Sequence, residues 1–201
     1  VLKQLVIATG NAGKLREFQQ LLAPLAIEVI PQTTLGVTPA DEPYMTFIEN
    51  ALTKARHASR HSGLPALADD SGICVDALQG APGVHSARYA APLPGLSQDQ
   101  ANNQQLVQAL HGQQQRTAHY YCVLVLVRHA DDPQPLIAEG VWQGEILEAP
   151  RGDGGFGYDP IFLDAMTGKT GAELPLEIKN RISHRGQALS RMLHLIERLE
   201  P

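Results

Sequence analysis

"QLVIATGNAGKLREFQQLLAPLAIEVI", residues 4–30, decides the fold class. An apolar, β-branched run at 4–9 ends in Thr9-Gly10-Asn11, passes through Ala12-Gly13-Lys14, and then changes period. Over 14–23, Leu15, Phe18, Leu21 and Leu22 share one helical stripe, and Pro24 closes it. Residues 26–30 read as a second strand. A β-α-β opening of this kind predicts an α/β protein.

The turn has the ingredients of an anion site. Helix N-termini present free N–H groups and partial positive charge, and Lys14 adds a full charge. It is not a Walker A loop, because Leu15 follows the lysine where that loop has its magnesium-binding hydroxyl. The dinucleotide pattern G-x-G-x-x-G is absent too. Taken alone, the stretch fits a phosphate-binding turn and a plain strand-to-helix turn with a surface lysine equally well.

Downstream, a helix is predicted over about 47–62, with Thr46 as N-cap and Glu49 completing a capping box. Phe47, Ile48, Ala51, Leu52, Ala55 and Ala58 form its buried side, and Gly63 stops it. "PALADD" and "ICVDAL" read as two short strands around Ser71-Gly72. A loop at 80–95, a helix near 98–111, and strands at 118–129 and 135–147 follow. A glycine-rich loop at 151–160 leads through a polar segment to a final helix at 184–199. No repeat, low-complexity tract or linker marks a domain boundary.

The chain has 201 residues, 43% of them hydrophobic, and a formal net charge of -5. That is enough for one large domain or two lobes. The mild acidity gives no electrostatic footprint for nucleic acid, so a nucleotide would be held by a local cluster of cations. No apolar stretch is long enough to span a bilayer, no secretory leader is evident, and a membrane role is not expected. Val1 in place of methionine is expected of a processed or renumbered start. Cys74 and Cys122 sit in apolar runs and read as buried thiols in a reducing compartment, with a disulfide between them left open.

Four stretches offer chemistry. In "LADDSG", 67–72, neighbouring strand residues face opposite ways, so Asp69 and Asp70 are expected to do different jobs. A carboxylate at a strand end can hold magnesium or take a proton from water; an Asp-Ser-Gly turn is the plain alternative. Glu42 lies on the approach to the 47–62 helix as a candidate metal ligand, and Lys54, four residues after Asn50, can point at phosphates. Glu49 has a sufficient role in the cap. In "GDGGFGYDPIF", 152–162, glycines let the backbone approach a ligand, Phe156 can stack on a base and Asp159 can accept hydrogen bonds. In "SHR", 183–185, Ser183 reads as an N-cap and places His184 and Arg185 in a first turn, where cations oppose the helix dipole. His57 and His61 are four apart but lack the glutamate of H-E-x-x-H and a third ligand, so they read as a polar face.

Six motifs stand in order: T-G-N-x-G-K at 9–14, T-F-x-E-N-A-x-x-K-A at 46–55, "ADDSG" at 68–72, "GAPGVHSARYA" at 80–90, "GGFGYDPIF" at 154–162 and "SHRGQA" at 183–188. With them the chain resembles the non-standard purine nucleoside triphosphate pyrophosphatases, also called inosine/xanthosine triphosphate pyrophosphatases, over essentially its whole length. The resemblance implies an ITPase-like α/β fold, an elongated mixed β-sheet flanked by helices, in a single domain of two lobes with a nucleotide cleft between them. It implies a cytoplasmic homodimer that uses magnesium (Mg2+) to hydrolyse dITP, ITP and XTP to the monophosphate and pyrophosphate. It assigns Thr9, Gly10, Asn11, Ala12, Gly13, Lys14 and Lys54 to the triphosphate, and Glu42 and Asp70 to the metal, with Asp70 as proton acceptor. Asp70, Lys14 and Lys54 would be catalytic, and Ser71, Phe156, Gly157, Tyr158, Asp159, Lys179, His184 and Arg185 would bind the nucleotide. Tyr44 stands where the family often has glycine, which leaves the placement of Glu42 open. The rival readings are a non-catalytic nucleotide sensor and a phosphatase that releases orthophosphate.

Overall fold

The structure, a computed structural model, describes residues 2–198; of these, the side chains of Ala12, Leu21 and Leu25 lie outside the description. In chain order the elements are β1 (Gln4–Ile7), α1 (Ala12–Leu22), β2 (Glu28–Pro31), α2 (Phe47–Ser62), β3 (Ala66–Val75) and α3 (Gln98–Ala109). Then come β4 (Thr117–Val127), β5 (Leu136–Ile146), β6 (Phe162–Asp164), α4 (Leu176–Ile182) and α5 (His184–Glu197). The strands hydrogen-bond in the order β2-β1-β3-β4-β5-β6. β1 runs parallel to β2 and β3, while β5 and β6 are antiparallel. The α/β class and the mixed sheet flanked by helices are therefore as the sequence and its resemblance imply.

Two compact units divide the chain. The first holds the residues up to Asp70, Cys122–Gly140 and those from Arg185 onward; the second holds Ser71–Tyr121 and Val141–His184. The chain changes unit inside β3, β4 and β5 and at the start of α5, never in a linker. That is why no boundary shows in the composition.

The first unit buries Leu5 and Ile7 of β1, Phe18 and Leu22 of α1, Leu67 of β3, and Leu189 and Met192 of α5 around Cys122, Leu124 and Leu126. Every residue of β4 from Cys122 to Val127 is fully buried, as expected for an inner strand covered on both faces. The second unit gathers Ile73, Leu106, Tyr120, Trp142, Tyr158 and Phe162. β5 keeps strict alternation, with Ala138, Gly140, Trp142, Gly144 and Ile146 inward.

Several elements differ from the sequence reading. β3 runs unbroken through Ser71-Gly72, because its place between β1 and β4 gives it strand neighbours on both sides that override the local turn preference. α1 begins at Ala12, capped by Asn11, so Lys14 stands in its first turn; the apolar period marks the helix only from Leu15. β6 and α4 fall in the segment read as loop and polar connection. α5 is described to Glu197, and the predicted end at 199 lies outside the described residues. On α2, Ile48 is exposed while Asn50 takes a buried position. Cys74 is half-buried and Cys122 buried; both are free thiols, and burial pushes the Cys122 thiol up to about 12.

Gly144 explains a close approach within the second unit. A Cβ there would lie 2.3 Å from the Leu163 carbonyl oxygen and 2.6 Å from the Phe162 ring. Backbone cannot yield as a flexible side chain can, so Gly144→Ala is expected to cost about 1–3 kcal/mol in urea unfolding. At Gly10, where a Cβ meets nothing within 4 Å, alanine is expected to stay within about 0.5 kcal/mol.

Candidate active site

β3 presents its two carboxylates to different elements. On one face, Lys54 of α2 places its Nζ 2.6 Å from Glu42 Oε1 and 3.2 Å from Asp70 Oδ1. Asn50, one turn earlier on the same helix, donates from Nδ2 to Asp70 Oδ2 at 3.3 Å. The same amide accepts from the Tyr44 backbone N–H (3.1 Å) and donates to the Tyr44 carbonyl (3.2 Å). It thus ties the loop that carries Glu42 to Asp70. These bonds use only the backbone at 44, and Tyr44 is 43% exposed, so a side chain there leaves the tether intact.

Two carboxylate oxygens thus converge on one ammonium. Hard oxygen donors of this kind fit magnesium, which binds through one or two carboxylates and keeps waters and phosphate oxygens as its other ligands. Among the described residues no group of three or more His, Cys, Asp and Glu is placed to hold a metal. His57 and His61 each put a ring nitrogen 2.9 Å from a backbone carbonyl, of Thr38 and His57 respectively. Burial holds the Asp70 carboxyl above its ordinary pKa; Glu42 and Asp69 add to this and Lys54 opposes it. Burial works against the charge on Lys54, but Asp69, Asp70 and Glu42 outweigh it and raise its pKa.

On the other face, Lys14 of α1 donates to Asp69 Oδ2 at 2.6 Å, and Arg185 Nε lies 3.9 Å from the same oxygen. Arg185 also donates from a terminal nitrogen to Glu17 Oε2 at 2.8 Å. Burial would raise the Asp69 pKa, yet Lys14, Arg185 and Lys54 hold it well below the usual carboxylate range. Glu17 escaped the sequence reading; its signal was a position three after Lys14, on the same helix face. Asn11 Oδ1 accepts from the N–H groups of Gly13 (2.8 Å) and Lys14 (3.1 Å), and Thr9 Oγ1 accepts from Asn11 N–H (3.1 Å). Two of the helix-end donors expected to face an anion are therefore taken by the cap. The cation left to meet an anion at this turn is the Lys14 ammonium, held by Asp69.

In the second unit, residues 156–159 form a turn closed by Asp159, whose Oδ2 accepts from Phe156 N–H (2.7 Å) and from Lys179 Nζ (2.5 Å). A Cβ at Gly155 or Gly171 would lie 2.2 or 2.6 Å from that carboxylate, which explains both glycines. Lys179, carried by α4, stands 4.7 Å from the Phe156 ring centroid, and the ring is 41% exposed. Asp159 is buried, so its carboxylate braces the turn and partners Lys179. Tyr158 was assigned to the nucleotide, but its side chain is part of the core, with its hydroxyl donated to the Ser86 carbonyl at 2.8 Å. Ser71 is half-buried in β3. His184 and Arg185, both expected to bind the nucleotide, have different neighbours: His184 stacks on Tyr120 (4.6 Å between centroids, 6° between planes), whereas Arg185 joins the Asp69 group.

The profile of the Ham1 family matches residues 5–195. The dITP/XTP pyrophosphatase of Nitrosomonas europaea is 61% identical over 199 residues, covering 99% of this chain and 97% of that protein. The dITP/XTP pyrophosphatase of Ralstonia nicotianae is 62% identical over 198 residues, with 98% and 97% covered. Among solved structures, a HAM1 protein from Coxiella burnetii superposes with a TM-score of 0.92 at 46% identity, covering 98% of this chain and 100% of that one.

Removing the charge of Asp69 tests the buried cluster. Asp69→Asn leaves Lys14 and Arg185 facing a neutral amide and is expected to cost about 3–5 kcal/mol at neutral pH. The folded pKa is depressed from 3.8, so this stabilisation is present above the unfolded value and is lost as pH falls toward the folded one. Denaturant titrations are expected to show the gap between wild type and variant narrowing below about pH 4.

Proposed function

Because this chain belongs to the Ham1 family, we propose that it hydrolyses deaminated purine nucleoside triphosphates, dITP, XTP and ITP, to the monophosphate and pyrophosphate. The observation that carries the reading is the convergence of Glu42 and Asp70 on one cation position beside a strand that also presents Asp69 to Lys14. A bound magnesium ion, held by Glu42 and Asp70, would supply charge neutralisation at the phosphates. Lys14 and Lys54 are the chain's own cations for the triphosphate. Asp70 takes the proton from the water that attacks the α-phosphorus. The bond from that phosphorus to the bridging oxygen breaks, and pyrophosphate leaves with the electron pair.

Phe156 offers an exposed ring for the base, and Lys179 beside it is the donor suited to a keto oxygen at C6. Arg185 is read as the group that holds Asp69 ionised, since both Glu17 and Asp69 engage it. Adenine presents an amino group where inosine and xanthine present an acceptor, and such mismatches cost selectivity. The resemblance further supports a homodimer working in the cytoplasm. Among the described residues no helix is long and apolar enough to cross a membrane.

Hydrolysis of ITP in oxygen-18 water tests where the bond breaks. Label is expected in inosine monophosphate, with unlabelled pyrophosphate and no orthophosphate released; label in pyrophosphate would place the attack at the β-phosphorus. Orthophosphate with inosine diphosphate would support the phosphatase reading, and binding without turnover the sensor reading. Asp70→Asn is expected to lower turnover by at least about a hundredfold while ITP still binds by calorimetry.

A further inference from the structure

We infer that Asp99 and Asn103 of α3 are positioning residues that clamp the Phe156 turn and thereby set how tightly the base is read. Both act on Gly157, the residue after Phe156. Its N–H donates to Asp99 Oδ2 at 2.8 Å, and its carbonyl accepts from Asn103 Nδ2 at 3.1 Å. The two side chains are four residues apart and share a helix face. One exposed and one half-buried side chain thus hold both polar groups of a single peptide residue, at a glycine with φ +61°.

The helix is a firm base for a clamp. Ser97 and Gln100 form a complete capping box at its start. Asn102 accepts from Ala90 N–H and donates to the carbonyls of Ser86 and Ala87. Stability alone does not account for Asn103. Among the described residues its Oδ1 is buried with no hydrogen-bond partner, which carries a desolvation cost that a purely stabilising side chain would avoid. What the amide achieves is the bond to Gly157. On the far side of the turn, Asp159 fixes the backbone of Phe156. Between these two anchors, the exposed Phe156 ring is set against Lys179. Both side chains bond to the backbone of the turn, beside the ring assigned to the base. The clamp therefore acts on base affinity and leaves the bond-breaking step alone.

The inference rests on the proposed pyrophosphatase function, and the test separates the two. Wild type, Asp99→Ala, Asp99→Asn and Asn103→Ala are compared for kcat and KM with ITP and ATP, for Tm, and for amide hydrogen exchange over 154–159. Each alanine variant is expected to raise the KM for ITP about tenfold, the worth of one hydrogen bond involving a charged or buried partner. kcat should stay within about twofold and the ATP constants should move less than those of ITP, so base selectivity falls. Exchange is expected to rise in 154–159 and not elsewhere, with Tm within a few degrees. Asp99→Asn, whose amide oxygen still accepts from Gly157 N–H, is expected to restore most of the affinity. Unchanged exchange and unchanged KM in both alanine variants would overturn the clamp, as would equal losses for ITP and ATP or an Asp99→Asn variant no better than alanine. Raised exchange in the variants, with no ITP turnover by the wild type, would uphold the clamp and overturn the pyrophosphatase reading instead.

Discussion

Asp69 is buried between Lys14 and Arg185, and Asp70, the next residue of β3, is held by a different lysine on the opposite face. This follows from the two-residue period of a strand. Taking a carboxylate out of water costs several kcal/mol unless cations and hydrogen bonds offset it. Asp69 therefore requires Lys14 and Arg185, and the buried Arg185 in turn requires Glu17. Four residues from β3, α1 and α5 become interdependent, which fixes where the α1 turn presents its lysine.

The same accounting supports the metal proposed for the opposite face. Lys14, Lys54 and Arg185 stand against Glu17, Glu42, Asp69 and Asp70 in these ion pairs, one negative charge in excess. A triphosphate would meet net repulsion. A divalent cation at the proposed Glu42 and Asp70 site would reverse the sign and free Lys54 from bridging the two carboxylates. The raised pKa of Asp70 comes from burial and from that same crowding of carboxylates.

The β-α-β opening, α2 with its Thr46 cap, α3 and the long strands were legible in the sequence, because periodicity and capping residues act locally. β3 was misread at Ser71-Gly72, since turn preference is local while pairing on both sides is not. α4 and β6 are short, at seven and three residues, and carry too little period to announce themselves. In the candidate site, the opposed roles of Asp69 and Asp70 could be read from alternation alone. Glu17 had only its spacing from Lys14 to mark it, and Asp99 and Asn103 could not be singled out: each lies on an ordinary polar helix face, and its meaning comes from a partner 54 or more residues away. The split between His184 and Arg185 was equally hidden, because adjacent residues at a helix start point to different surroundings.

We propose that Glu42 and Asp70 form a cation site at the position where the Lys54 ammonium bridges them. The most direct test is a crystal structure with magnesium and a non-hydrolysable ITP analogue. The metal is expected to be ligated by Glu42 and Asp70 together with phosphate oxygens, and the Lys54 ammonium to be turned from the carboxylates to the phosphates. Magnesium bound elsewhere, with Lys54 still bridging Glu42 and Asp70, would contradict it.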